Sequence, residues 1–144
     1  MDPEPLLTGS EIYNLIPQRP PIVMIDRLYS ADEEGAVTGL KITEDNIFSD
    51  GEKLLEPGLI EHIAQSAAAF AGYPFFIKGE KPRLGYIGEI KKFRLIRFPL
   101  CGESLKTSLK VMGNAAGVTL ISAETSVSGE TVTTCNMKIF LKND

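Results

Sequence analysis

The sequence predicts an α+β domain in which an antiparallel sheet of about five to six strands wraps one long central helix. Three observations predict it. The stretch from Glu56 to Gly72 is helical in composition and apolar nearly all round, which is how a buried helix reads. Two strand-like segments precede it and four follow it. Segments of the second half alternate apolar and polar residues, the pattern of a sheet with one solvated face.

Taken in order, residues 1–9 hold Pro3, Pro5 and Gly9 and read as a loose tail. Residues 10–16 suit a short helix, stopped by Pro17, and 18–21 form a rigid turn. Residues 22–29 are β-branched and apolar enough for a buried strand. The turn at 32–35 sends the chain back over 36–43 as the second arm of a hairpin. Residues 44–55 are polar and irregular and lead into the central helix, which starts at Pro57-Gly58 and stops at Gly72. Leu59, Ile63, Ala67 and Phe70 take one side of it, and Ile60, Ala64, Ala68 and Ala71 another. Residues 73–78 leave the helix and 79–82 loop back. Strands follow over 83–97, with a bulge near Gly88, then over 105–111, 118–126 and 131–141, the last two joined by a tight turn. No repeat or linker divides the chain, so residues 1–144 read as one domain.

A chain of 144 residues is long enough for a real core. With 43% hydrophobic and 24% charged residues it has the composition of a soluble globular protein. A net charge of −4 gives no support to non-specific nucleic-acid binding. Cys101 and Cys135 make no disulfide framework and read as buried thiols in a reducing cytoplasm. The acidic N-terminus lacks an apolar signal region, and no run of about 20 apolar residues is present to span a membrane. No Cys/His cluster suggests a metal and no Gly-rich loop a nucleotide, so no cofactor is expected.

The candidate chemistry sits in the first turns of the helix. Glu61 shares a face with Gln65, Ala68 and Gly72, while His62 lies about 100° further round. A carboxylate on a buried helix is costly unless it is paired or lines a cavity. Glu61 therefore reads either as a dipole-stabilised side chain or as one facing a ligand pocket. His62 reads either as a hydrogen-bonded packing residue or as an imidazole base. Met24, Phe70, Phe75 and Phe76 suit a core, or the wall of an acyl tunnel.

The order of motifs resembles the bacterial 3-hydroxyacyl-acyl carrier protein dehydratases of the FabZ type over roughly residues 12–140. Where that family has Leu-Pro-His-Arg-x-Pro and then Val-Asp-Arg, this chain has Ile16-Pro17-Gln18-Arg19-Pro20-Pro21 and Ile25-Asp26-Arg27. The family helix carries Glu-Ala-Met-Ala-Gln; here it is Glu61-His62-Ile63-Ala64-Gln65. A later strand, Tyr86 to Phe93 leading on to Leu100-Cys101-Gly102-Glu103, matches the family's Gly-Ile and Pro-Gly-Asp landmarks. The resemblance implies a hotdog fold and a homodimer joined sheet edge to sheet edge, with a higher oligomer as the open alternative. It implies a thioester substrate on acyl carrier protein or coenzyme A. It also implies a dehydration in which a His removes the C2 proton and a helix carboxylate protonates the leaving C3 hydroxyl.

By that resemblance Glu61 and His62 are the catalytic candidates, and Gly58, Leu59, Gln65 and Gly88 the substrate-binding ones. Gly58 and Leu59 are candidate amide donors to the thioester carbonyl. The chain departs from the family in two places. The loop 48–53, where the family carries Gly-His-Phe-Pro, has no His, and His62 is the only His present. Pro57-Gly58 also stands two residues nearer the carboxylate. A subgroup of dehydratase-like proteins from bacterial aryl-polyene pigment pathways resembles the chain in its altered loop. Three readings stay open: a diverged dehydratase, a thioesterase using Glu61 alone, and a non-catalytic acyl-binding subunit. Lys91, Lys92, Arg94 and Arg97 gather positive charge in an acidic chain, either as a docking strip for an acidic carrier protein or as charges guarding a strand edge.

Overall fold

A computed structural model describes residues 4–81 and 85–141. Its strands are β1 (Leu7–Thr8), β2 (Arg27–Asp32), β3 (Gly35–Lys41), β4 (Gly85–Leu95), β5 (Ser104–Ala115), β6 (Val118–Val127) and β7 (Glu130–Leu141). They form one antiparallel sheet in the order β1-β2-β3-β5-β6-β7-β4, and a single long helix, α1 (Glu56–Ile77), packs against it. The expected arrangement holds, with seven strands in place of five or six. The expected strand start at residues 83 and 84 lies outside the described residues.

The extra strand comes from the tail. Leu7 is buried, the Leu6 amide donates to the Leu28 carbonyl and the Gly9 amide to that of Asp26, so residues 6–9 are docked rather than loose. The short helix after it is a 3-10 helix, Gly9–Asn14, closed by a capping box between Thr8 and Glu11.

The expected strand over 22–29 starts only at Arg27. The reason lies in the helix. The Met24 amide donates to Gln65 Oε1 at 2.6 Å, and Gln65 Nε2 donates to the Ile22 carbonyl at 2.8 Å. The Met24 carbonyl is taken by His62 at 2.7 Å. Ile22 and Met24 thus satisfy backbone groups on side chains of α1 before the segment reaches a neighbouring strand.

Gly72 does not stop the helix. It is buried, and α1 continues through Pro74 to Ile77 because Tyr73 and Phe76 extend its apolar face onto a cluster that includes Ile12, Leu15 and Ile25. The stop is Gly79, at φ 72°, whose amide caps the Phe76 carbonyl. Leu59, Ile63 and Ala67 pack into the sheet, whereas Ile60, Ala64, Ala68 and Ala71 stay half-buried along one open side of α1.

β4 carries the expected bulge at Gly88, where the register slips between Ile87 and Glu89. A Cβ there would lie 2.1 Å from Cε2 of Phe140 on β7, so that ring occupies the place of a side chain. Cys135 is buried as expected; Cys101 is only half-buried.

Candidate active site

α1 starts where loop 44–55 folds down onto the sheet. Asp50 accepts from the amides of Glu52 and Lys53, both at 2.9 Å, and pairs with the Lys53 ammonium at 2.9 Å. These donors, the Lys53 amide first, hold the Asp50 carboxyl well below the usual carboxylate range. The loop position that a base would take is therefore filled by a tight turn around a carboxylate with little appetite for a proton.

Gly58 lies in the first turn of α1 because a Cβ would meet Phe48 Cβ at 2.6 Å and Leu54 Cδ1 at 2.8 Å. The amides of Gly58 and Leu59 both donate to the Leu55 carbonyl, at 3.0 and 3.3 Å. Neither candidate oxyanion donor is free in the single chain, and Pro57 has no N–H to offer.

Glu61 and Gln65 are brought together one turn apart. Gln65 Nε2 donates to Glu61 Oε1 at 2.8 Å, and Gln65, fully buried, is itself fixed by Ile22 and Met24. A long, half-buried carboxylate is thereby held by a side chain that is itself anchored at both ends of its amide. Its position borders the half-buried row of Ile60, Ala64 and Ala68.

His62 goes elsewhere. It is fully buried on the sheet side of α1. The Met24 carbonyl only accepts, so Nδ1–H donates to it; Nε2 then accepts the Thr107 hydroxyl at 2.7 Å, and Thr125 donates to Thr107 at 2.7 Å. Burial pushes the imidazole pKa down from 6.5 to about 4. A neutral ring with both nitrogens engaged has no lone pair to offer a substrate. Of the two expected catalytic residues, the structure therefore leaves Glu61 reachable and encloses His62. A second chain of hydroxyls, Thr38 to Ser66 at 2.6 Å and Ser66 to the His62 carbonyl at 2.8 Å, fastens the next turn to β3.

These partners escaped the sequence reading. Thr107 and Thr125 occupy inward positions of β5 and β6 where alternation expects apolar side chains. Polar residues in a buried register were the available signal.

A pH dependence follows. Folded, His62 titrates near 4; unfolded, near 6.5. Between those values the unfolded chain binds the extra proton, so stability falls as pH drops through this window and is complete above it. The full loss is about 3 kcal/mol. Urea midpoints measured from about pH 7 to 4.5 should decline, and a folded His62→Gln variant should show a flatter profile.

The remaining candidates are dispersed. Gly88 is on β4, under Phe140. Lys91, Lys92 and Arg94 border grooves on the face of the sheet turned away from α1. Arg97 is neutralised: it makes two bonds to Glu103, at 3.0 and 3.2 Å, and a third to Glu130 at 3.4 Å.

Comparison with known proteins identifies the family and the fold. The ApeP-like family model, described as ApeP dehydratase, matches residues 10–144. The chain belongs to the ApeP-like dehydratase family. It is 30% identical over 142 residues to the 3-hydroxyacyl-[acyl-carrier-protein] dehydratase FabZ of Lactiplantibacillus plantarum, covering 92% of each chain. The FabZ of Janthinobacterium sp. is 29% identical over 130 residues, which cover 84% of this chain and 81% of that protein. Among solved structures, the dehydratase heterocomplex ApeI:P from Xenorhabdus doucetiae superposes with a TM-score of 0.81 at 17% identity, over 92% of this chain and 91% of that one. A hypothetical thioesterase from Streptococcus pneumoniae, solved with coenzyme A, shares the fold at a TM-score of 0.67 and 8% identity, over 81% and 85% of the two chains. The ApeP-like chain has the hotdog fold these neighbours share. No helix among its described residues is long and apolar enough to cross a membrane.

Proposed function

We propose that this ApeP-like chain is one half of a two-chain dehydratase that removes water from a 3-hydroxyacyl thioester on acyl carrier protein, giving the 2-enoyl thioester. Glu61 is the acid that hands a proton to the departing C3 hydroxyl. The base that takes the C2 proton is an imidazole on the facing chain. The observation that carries this reading is the contrast inside one helical turn: Glu61 is half-exposed and held by Gln65, while the only His in the sequence is buried with both nitrogens engaged.

A second copy of the same chain would bring only another enclosed His62. A different hotdog chain that carries a loop His completes the pair, which favours a heteromer over a homodimer. The structural neighbour described as a dehydratase heterocomplex supports that choice. The half-buried row Ile60, Ala64, Ala68 and Ala71 gives the facing helix a surface of mostly small side chains on which to lie. Each pair then holds one complete site, because this chain has no base to return. Two unpaired cysteines suit a reducing cytoplasm.

The test uses the chain alone and with the partner that co-purifies with it. Both are given 3-hydroxyacyl and 2-enoyl thioesters on carrier protein and on coenzyme A. Enoyl absorbance and thiol release are followed together. Slow interconversion alone and fast interconversion in the complex, without thiol release, are expected. Full turnover by the isolated chain that is lost in a folded His62→Gln variant would overturn the assignment of the base. Thiol release in place of enoyl formation would make the chain a thioesterase.

A further inference from the structure

The face of the sheet turned away from α1 carries charge that dehydration at Glu61 does not use. Successive residues of a strand point to opposite faces. Lys91 and Lys92 break that rule: Ile90 and Phe93 on either side of them pack on the core, yet both lysines are exposed and both border one groove of about 370 Å³ whose floor runs across β6 and β7. The cause is a second bulge in β4. The register slips between Lys91 and Arg94, and Lys92 takes φ 55°, which is uncommon for any residue but glycine. The bulge turns a lysine outward that regular pairing would have sent into the core.

Lys92 also lines an adjoining groove of about 390 Å³, with Arg94 and Lys110. Together with Lys91 and Lys138, five cations border the two grooves against two carboxylates, Glu89 and Glu124. The local excess is positive in a chain whose net charge is −4. Glu89 bridges Lys91 at 3.4 Å and Lys138 at 3.5 Å. Among the described residues no carboxylate pairs with Lys92, Arg94 or Lys110. At the same place two apolar side chains stand in water, Met112 at 64% exposure and Leu120 at 42%. A cationic rim around exposed apolar side chains is the surface of a docking site for a macromolecule. A small anion would have no use for Met112 and Leu120.

From β5, through β6 and β7, to β4 is three strand spacings, about 14 Å. That width admits one helix, about 10–12 Å across. We propose that this outer face docks an acidic amphipathic helix of a partner protein, with its carboxylates on Lys92, Arg94 and Lys110 and its apolar stripe on Met112 and Leu120. The site lies across the sheet from α1, so it is an assembly surface and not a mouth for delivering thioester to Glu61. It stands whether or not the dehydratase reading does.

The probe is a synthetic helical peptide of about 18 residues, some 27 Å long, with Glu and Leu on one face. A scrambled peptide of the same composition is the control, and binding is read by fluorescence anisotropy. The patterned peptide should bind at least about tenfold more tightly than the scrambled one and weaken as salt is raised. The double variant Lys92→Glu, Lys110→Glu should lose about tenfold or more, and Met112→Ser should lose a smaller factor. Equal binding of both peptides, or undiminished binding to the double variant, overturns the proposal. So does full competition by millimolar inorganic phosphate, which would make the face a small-anion site. If the double variant instead breaks up an oligomer of the chain and leaves peptide binding unchanged, the occupant is a second copy and the proposal fails.

Discussion

Glu61→Gln, introduced into the proposed two-chain enzyme, lowers the rate of interconversion between 3-hydroxyacyl and 2-enoyl thioesters by about a hundred- to ten-thousandfold, the usual worth of a positioned acid. Gln has the same shape and can still accept the hydrogen bond that Gln65 now gives to Glu61 Oε1. What it lacks is an acidic proton. Because the side chain is only half-buried and its neighbours stay in place, the melting temperature should move by less than about 2 °C. The loss therefore belongs to kcat, with KM nearly unchanged. Steady-state kinetics on carrier-bound substrate, beside a melting curve, separates the two effects. A Gln variant that turns over at the parent rate removes Glu61 from the chemistry.

His62→Leu destabilises the chain by about 3 to 4 kcal/mol, roughly a 10 °C fall in melting temperature for a domain of this size. Leucine fills much of the space but leaves the Met24 carbonyl without its donor and the Thr107 hydroxyl without its acceptor, both in the buried interior. His62→Gln, which can serve one of those groups, should recover part of the loss. The two variants also divide the roles of neighbouring residues. Glu61→Gln is expected to be folded and inactive. His62→Leu is expected to lose stability first, with activity in the surviving folded fraction falling only as far as residues 22–24 loosen around Gln65. Chemical denaturation, with turnover scaled to the folded fraction, tests this. An unaltered midpoint in His62→Leu, joined to abolished turnover, would return His62 to the chemistry.

The part of the fold that was legible in the sequence followed from periodicity. The apolar all-round run after Pro57 and the alternating strands of the second half leave few ways to bury their faces other than a sheet around a helix. The bulge at Gly88 was legible for a similarly local reason, a glycine inside a strand pattern. The helix end at Gly72 was misread because a buried glycine in a helix looks like a stop until Tyr73 and Phe76 are seen packed on Ile12 and Leu15. The late start of β2 was misread because nothing local tells that Gln65 and His62 will take the backbone groups of residues 22–24.

By itself the sequence determined the architecture, the helix that presents Glu61, and the absence of a His from the preceding loop, because these are properties of spacing and residue identity along one chain. The tertiary structure decided what His62 is. Two residues adjacent in sequence, separated by about 100° on a helix, meet different surroundings, and only the packing of α1 on β3 and β5 leaves one half-exposed and closes the other in. It likewise decided where Lys91, Lys92 and Arg94 point, because a single bulge reverses the facing of a lysine and periodicity cannot locate it.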